Sequence, residues 1–261
     1  MTKYDAYYDE LPCYVEKDYY KIEFSSQQLI RPYAWQTLIV PTLADKNKGE
    51  AGFASGSGRK IIYLPRCGAE SNARGDTSFI VHDRYEPELQ LNEYSKRCLV
   101  EENAGGQSSV SEAHSIAHMM REMQATTCIL EQEVRYFPKY KMIDYIIGVP
   151  SGSSGGQITR IGVSVTRALC EPYRKYMRID GIRLLKKKLY GLVVSRNTVC
   201  SEHSFYQSIL HIFVTRSDVA NMLIDIIETG EVSFDDLEII GTLDIFITES
   251  SFMPIFTNEG V

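Results

Sequence analysis

KMIDYIIGVPSGSSGGQITRIGVSVTRA, residues 141–168, is the stretch on which the fold turns. It contains two β-branched runs, 141–148 and 158–167, separated by Ser151, Gly152, Ser153, Ser154, Gly155 and Gly156. β-Branched side chains suit a pleated surface and a Gly/Ser stretch supplies turn conformations, so the pattern predicts an antiparallel hairpin. Side chains alternate across a strand, which puts Asp144 and Ile146 on one face of the first run and Ser164 and Thr166 on one face of the second. A carboxylate between Ile143 and Tyr145 is costly to bury without a cation or donors. If the two faces coincide, the hydroxyls of Ser164 and Thr166 support Asp144.

On either side of the hairpin the period changes. Upstream, residues 111–123 carry a serine at the expected cap, Glu112 in the first turn, and Ile116, Met119, Met120 and Met123 at helical spacing, which predicts a helix packed on the sheet. Glu112 is either a partner for the helix dipole or an acid aimed into a site at the end of the sheet. His114 and His118 share a face as a zinc pair does, but residue 115 is serine where the zinc-protease pattern has glutamate, and no third ligand is evident. In residues 127–137 the second half alternates polar and apolar, and a strand is expected there. Downstream, Ile182, Leu185, Leu189 and Leu192 alternate with Arg183, Lys186, Lys187 and Lys188, as on a helix with one apolar and one basic face. That basic run is either a solvated face or a phosphate-binding surface. A strand over 208–215, a helix over 217–228 stopped by Gly230, and a β-rich run over 237–248 complete the series.

Composition sets the outer limits. With 261 residues, 44% apolar and 24% charged, the chain has the makeup of a soluble globular protein with a sizeable core. A formal net charge of -6 argues against a globally basic nucleic-acid binder while leaving room for a local basic patch. Cys13, Cys67, Cys98, Cys128, Cys170 and Cys200 form no C-x-x-C pair and no metal-ligand spacing. Without an apolar N-terminal segment, they point to reduced thiols and an intracellular location, cytoplasmic or nuclear. No apolar run approaches the roughly 18 residues needed to cross a bilayer, so no membrane partner is expected.

Before residue 105 the pattern is β-prone in short pieces, at 19–24, 35–40, 60–64 and 78–82, separated by Pro, Gly and Asn clusters. Gly/Ser-rich stretches at 49–58 and 103–109 read as flexible. The expected organisation is a β-rich N-terminal extension over 1–105 followed by an α/β domain over 106–261.

Helix, three-stranded meander, helix, strand resembles the core of the PD-(D/E)XK phosphodiesterase superfamily, which includes restriction endonuclease-like nucleases and junction resolvases. The block GVSVTRA at 162–168 also resembles an uncharacterised family of eukaryotic proteins. The first resemblance, over about 108–250, implies a restriction endonuclease-like mixed sheet flanked by helices, magnesium as cofactor and nucleic acid as partner. Asp144 falls where that superfamily has its strand acid and Glu112 where it often has a helix acid, so the resemblance implies a magnesium site on Asp144 and Glu112, with Glu131 or Glu133 as a further acid.

The third strand departs from the pattern. It has Ser164, Val165 and Thr166 in place of Glu-x-Lys, and hydroxyls are weak substitutes for a carboxylate around a hard cation. Lys187 or Lys188 on the next helix would then supply the catalytic cation, with Lys187 as the catalytic candidate, and Lys186, Lys187, Lys188 and Arg167 as the nucleic-acid contacts. Two readings follow: a divergent metal-dependent nuclease, or a non-catalytic nucleic-acid or protein interaction module on the same fold.

Overall fold

The computed structural model describes residues 60–63, 79–85, 91–101, 108–137, 141–150, 158–169, 174–205, 207–232 and 243–257. In chain order the elements are β1 (Lys60–Tyr63), β2 (Phe79–Arg84), α1 (Glu93–Val100), α2 (Ser109–Glu122), β3 (Thr127–Leu130), β4 (Tyr145–Pro150), β5 (Ile158–Arg167), α3 (Arg178–Thr198), β6 (Gln207–Val214), α4 (Ser217–Glu228), β7 (Leu243–Glu249) and α5 (Pro254–Thr257). They build an α/β fold around one seven-stranded mixed sheet of order β1-β2-β7-β6-β5-β4-β3. The expected hairpin is its antiparallel half: β4 pairs with β5 from Tyr145 opposite Val163 to Pro150 opposite Ile158, and β3 adds to the outer side of β4. β5, β6, β7 and β2 run parallel.

Because successive residues of a strand face opposite ways, the sheet has two cores. Ile146, Leu210, Ile212, Ile245 and Ile247 pack under Leu185, Leu189 and Leu192 of α3 and Leu223, Ile226 and Ile227 of α4. Val81, Tyr145, Ile147, Val163, Ile209, Phe213 and Phe246 pack under Cys98 of α1, Ala113, Ile116 and Met119 of α2, and Ile255 and Phe256 of α5. β6 and β7 are covered on both sides and read as nearly continuous apolar runs, as internal parallel strands do. Two glycines have a geometric reason. Gly230 ends α4 at φ +72°, a left-handed conformation that costs a side-chain-bearing residue energy. At Gly162 an added Cβ would stand 2.5 Å from the Phe205 ring, so the first residue of the GVSVTRA block is where an aromatic lies directly on the backbone.

The structure corrects three expectations. The strand expected in the second half of 127–137 is in the first half, at β3, while Glu131–Glu133 form a 3-10 turn. Local chemistry ends the strand: Glu133 Oε2 accepts the Leu130 N–H at 2.9 Å. β4 begins after Asp144, which precedes the strand instead of lying within it. The boundary near residue 105 does not divide the sheet, since β1 and β2 join it through the parallel pairing of β2 with β7, and α1 packs on α2. The expected runs at 19–24 and 35–40, the loop at 49–58 and the hairpin's Gly/Ser loop lie outside the described residues. Among the described residues, no helix is long and apolar enough to cross a membrane.

Candidate functional site

Asp144 sits at the end of the sheet where the antiparallel ladder stops. Its N–H donates to Val163 O at 3.0 Å, and its Oδ2 accepts the Val165 N–H at 2.5 Å. With Tyr145 opposite Val163, a continued ladder would offer Val165 the carbonyl of Ile143. The carboxylate takes the place of that carbonyl, which satisfies a donor otherwise orphaned at the ladder's end. Lys188 of α3 also binds Val165, donating from Nζ to Val165 O at 2.6 Å.

Glu112 reaches the same place from the first turn of α2, where the helix N-terminus favours an acid, and it is buried. Cys98 of α1 and Glu101 just after it, Leu130 at the end of β3, Glu131 and Gln132 from the 3-10 turn, Glu112 and Asp144 line one small solvent-open depression of about 20 Å³. It lies outside the carboxyl end of β5, the end at which ligands bind in open α/β sheets. The electrostatics agree with the geometry. Burial pushes the Cys98 thiol up to about 12, and the negative charges of Glu112, Asp144, Glu101 and Glu131 add to the effect. At the rim, Arg97 bridges Glu101 at 3.0 Å and Glu133 at 2.7 Å, tying α1 to the 3-10 turn.

The other expected site residues scatter. Ser164 and Thr166 stand in register with Leu210 and Ile212, on the face packed under α3 and α4, and the bond on Asp144 comes from the Val165 backbone between them. Arg167 is half-buried and directs its guanidinium at the Ile255 and Phe256 carbonyls, 3.4 and 3.2 Å away. Burial lowers its pKa, with the Glu112 charge opposing. Lys186 and Lys187 are exposed on α3 and do not line the depression, whereas Lys188 is half-buried and bonded beside Asp144. His114 and His118 are both buried; His114 Nδ1 meets Tyr85 Oη at 2.5 Å, and His118 Nε2 meets Asp83 Oδ2 at 3.1 Å. Cys98, Cys128 and Cys200 are free thiols. Sequence reasoning missed Cys98 and Glu101, because α1 carries only a short apolar pattern and its place beside α2 is a tertiary fact.

Magnesium takes oxygen ligands, keeps several waters and is usually held by one or two carboxylates together with phosphate oxygens. The four carboxylate side chains of the depression are donors of that kind. No three His, Cys, Asp or Glu side chains among the described residues are arranged to hold a metal by themselves. The donors are of the kind magnesium takes, and the described residues do not form an all-protein cage.

No family model matches the chain, and no solved structure matches it. A protein of Dictyostelium discoideum described as "AAC-rich mRNA clone AAC4 protein" is 27% identical over 152 residues. The match covers 56% of this chain and 22% of that relative, so the two share a segment and not an overall length.

Proposed function

We propose that the chain is a divergent metal-dependent nuclease whose site is the acidic depression at the end of β4 and β5. The observation that supports this reading is that Glu112 and Asp144, far apart in sequence and carried on different elements, line one solvent-open depression together with Glu131. An anionic phosphodiester is repelled by four carboxylates unless a cation accompanies it, so the charge of the site itself calls for a metal.

Bound magnesium would supply a Lewis acid for the phosphate and lower the pKa of a bound water. Asp144 and Glu112 are the residues that would hold it. Asp144 is preset for this: Val165 N–H fixes Oδ2, while Oδ1 accepts no hydrogen bond among the described residues. Glu131 lines the same mouth and would orient a water there. Lys188, rather than Lys187, is the α3 lysine bonded beside Asp144, and it steadies Val165, whose N–H holds the Asp144 carboxylate. Lys186 and Lys187, exposed on α3, are the candidate contacts to the phosphate backbone.

The experiment is a magnesium titration of the parent, Asp144→Asn and Glu112→Gln, read by thermal shift and by cleavage of single- and double-stranded DNA and RNA. The parent should be stabilised by magnesium and should cleave, and both variants should lose both properties. A parent that shows neither overturns the proposal. The bond from Val165 to Asp144 Oδ2 favours the second reading, a non-catalytic nucleic-acid or protein interaction module, in which the carboxylate only terminates the ladder. In that case Asp144→Ala loses stability and nothing else.

A further inference from the structure

Behind the depression, between α2 and the middle of the sheet, runs a buried chain of hydrogen bonds that the proposed chemistry does not use. Tyr145 Oη meets Ser115 Oγ at 2.6 Å, Ser115 Oγ meets His211 Nδ1 at 2.7 Å, His211 Nε2 meets Thr248 Oγ1 at 2.9 Å, and Thr248 Oγ1 donates to Asp83 Oδ1 at 2.7 Å. From the other side, His118 Nε2 meets Asp83 Oδ2 at 3.1 Å, and Arg121 approaches His118 Nδ1 at 3.4 Å. Ser115, His211 and Thr248 are wholly buried, and His118 and Asp83 nearly so.

One set of donors satisfies the whole chain. With Thr248 donating to the Asp83 carboxylate, its oxygen accepts from His211 Nε2–H, and in the neutral ring Nδ1 accepts from Ser115. Ser115 in turn accepts from Tyr145. On the second branch, Arg121 can only donate, so His118 Nδ1 accepts and Nε2–H donates to Asp83. The two imidazole rings stack 5.6 Å apart at an interplanar angle of 25°. Every bond here that crosses from α2 to the sheet, to β2, β4 or β6, passes through Ser115 or His118.

We propose that His211, stacked on His118, is a proton-operated latch for α2: neutral, it ties the helix to the sheet through Ser115, and proton uptake releases the helix together with Glu112. A proton on His211 Nδ1 would face a hydroxyl whose own hydrogen already points at it. Accepting it requires the Tyr145–Ser115 arm to reverse inside a fully buried site, or the contact to Ser115 to break. The second is easier, because the strands are held by backbone ladders on both sides and α2 by side chains. The groups facing the pair are Asp83 from β2, Tyr85 just beyond it, and Arg121 from α2 itself, with the hydroxyls of Ser115, Thr248 and Tyr145 completing the contacts. Burial first, then the nearby His118, lowers the His211 imidazole to about 3, while Asp83 opposes the shift. A histidine held low in the closed form and near 6.5 once released makes opening easier as pH falls below about 6.5 and leaves it unaffected above. The consequence for Glu112 rests on the reading of the depression given above; the latch does not.

Amide hydrogen exchange of the full chain at pH 7.5, 6.5 and 5.5, corrected for intrinsic rates, tests the latch. The opening equilibrium of α2 should rise by up to about tenfold per pH unit below 6.5, while α4, on the opposite face of the sheet, keeps its protection. In His211→Gln the α2 slope should flatten. Loss of protection in α2 and α4 together, or in neither, overturns the proposal, as does a parental slope that persists in the variant. If the variant does not fold, the comparison of α2 with α4 in the parent decides alone. No activity is measured, so the latch and the nuclease reading stand or fall separately.

Discussion

Replacing Asp144 with asparagine removes one negative charge from the depression and keeps an oxygen where the Val165 N–H needs one. A hydrogen bond to a charged group contributes about 1.5–3 kcal/mol and a neutral one about 0.5–1.5, so the bond alone weakens by about 1 kcal/mol. Against this, the Asp144 charge is relieved from a pocket it shares with Glu101, Glu112 and Glu131. The two effects oppose each other, and Asp144→Asn should melt within about 1 kcal/mol of the parent. Asp144→Ala has no such compensation: it leaves the Val165 donor without an acceptor and should cost about 1–3 kcal/mol. Magnesium separates the parent from both variants. At tenfold excess over its dissociation constant a ligand stabilises by about 1.4 kcal/mol, which for a domain of this size is about 3–6 °C in Tm. The assay is a set of melts of parent, Asp144→Asn and Asp144→Ala across a magnesium series, beside a nuclease assay on the same samples. An Asp144→Asn protein that keeps the parental magnesium shift, or still cleaves, would refute the assignment of Asp144 as a ligand.

The lysines of α3 should divide. Lys188→Ala should lower stability by about 1–2 kcal/mol through loss of its bond to Val165 O. Lys186→Gln with Lys187→Gln should leave the melt within about 0.5 kcal/mol while weakening nucleic-acid binding and flattening its salt dependence, read by anisotropy at several salt concentrations. Gly162→Ala should cost about 1–3 kcal/mol, since the new Cβ falls 2.5 Å from the Phe205 ring, and Phe205→Leu in the same chain should recover part of that loss in a denaturant titration. Burial raises the Cys98 thiol to about 12 and Cys128 higher still, while Cys200 is half-exposed. Brief alkylation at pH 7.5 followed by peptide mapping should therefore label Cys200 well ahead of Cys98 and Cys128.

The amino-acid sequence by itself determined the α2-to-β7 order and the hairpin pairing, because both rest on periodicity and turn chemistry within short windows. The 217–228 helix was legible to the residue, having a steep apolar stripe and a glycine stop. Where two neighbouring signals competed, local pattern failed: residues 133–136 alternate like a strand, yet the Glu133 carboxylate caps Leu130 and turns the chain. Asp144 and Glu112 stood out from sequence because an acid amid apolar residues and an acid in a first helical turn are anomalies that need a partner. What the partner is, only the tertiary structure decided. The backbone of Val165 meets Asp144 in place of the hydroxyls of Ser164 and Thr166, because the ladder stops at Tyr145, short of Asp144, while the β-branched run begins at residue 141. β2, β6 and β7 bring Asp83, His211 and Thr248 against His118 and Ser115 across separations of up to 165 residues, as between Asp83 and Thr248. Such contacts leave no periodic trace in the chain. Each residue satisfies its own strand's pattern, and its hydrogen-bond partner is chosen by the order in which the strands assemble.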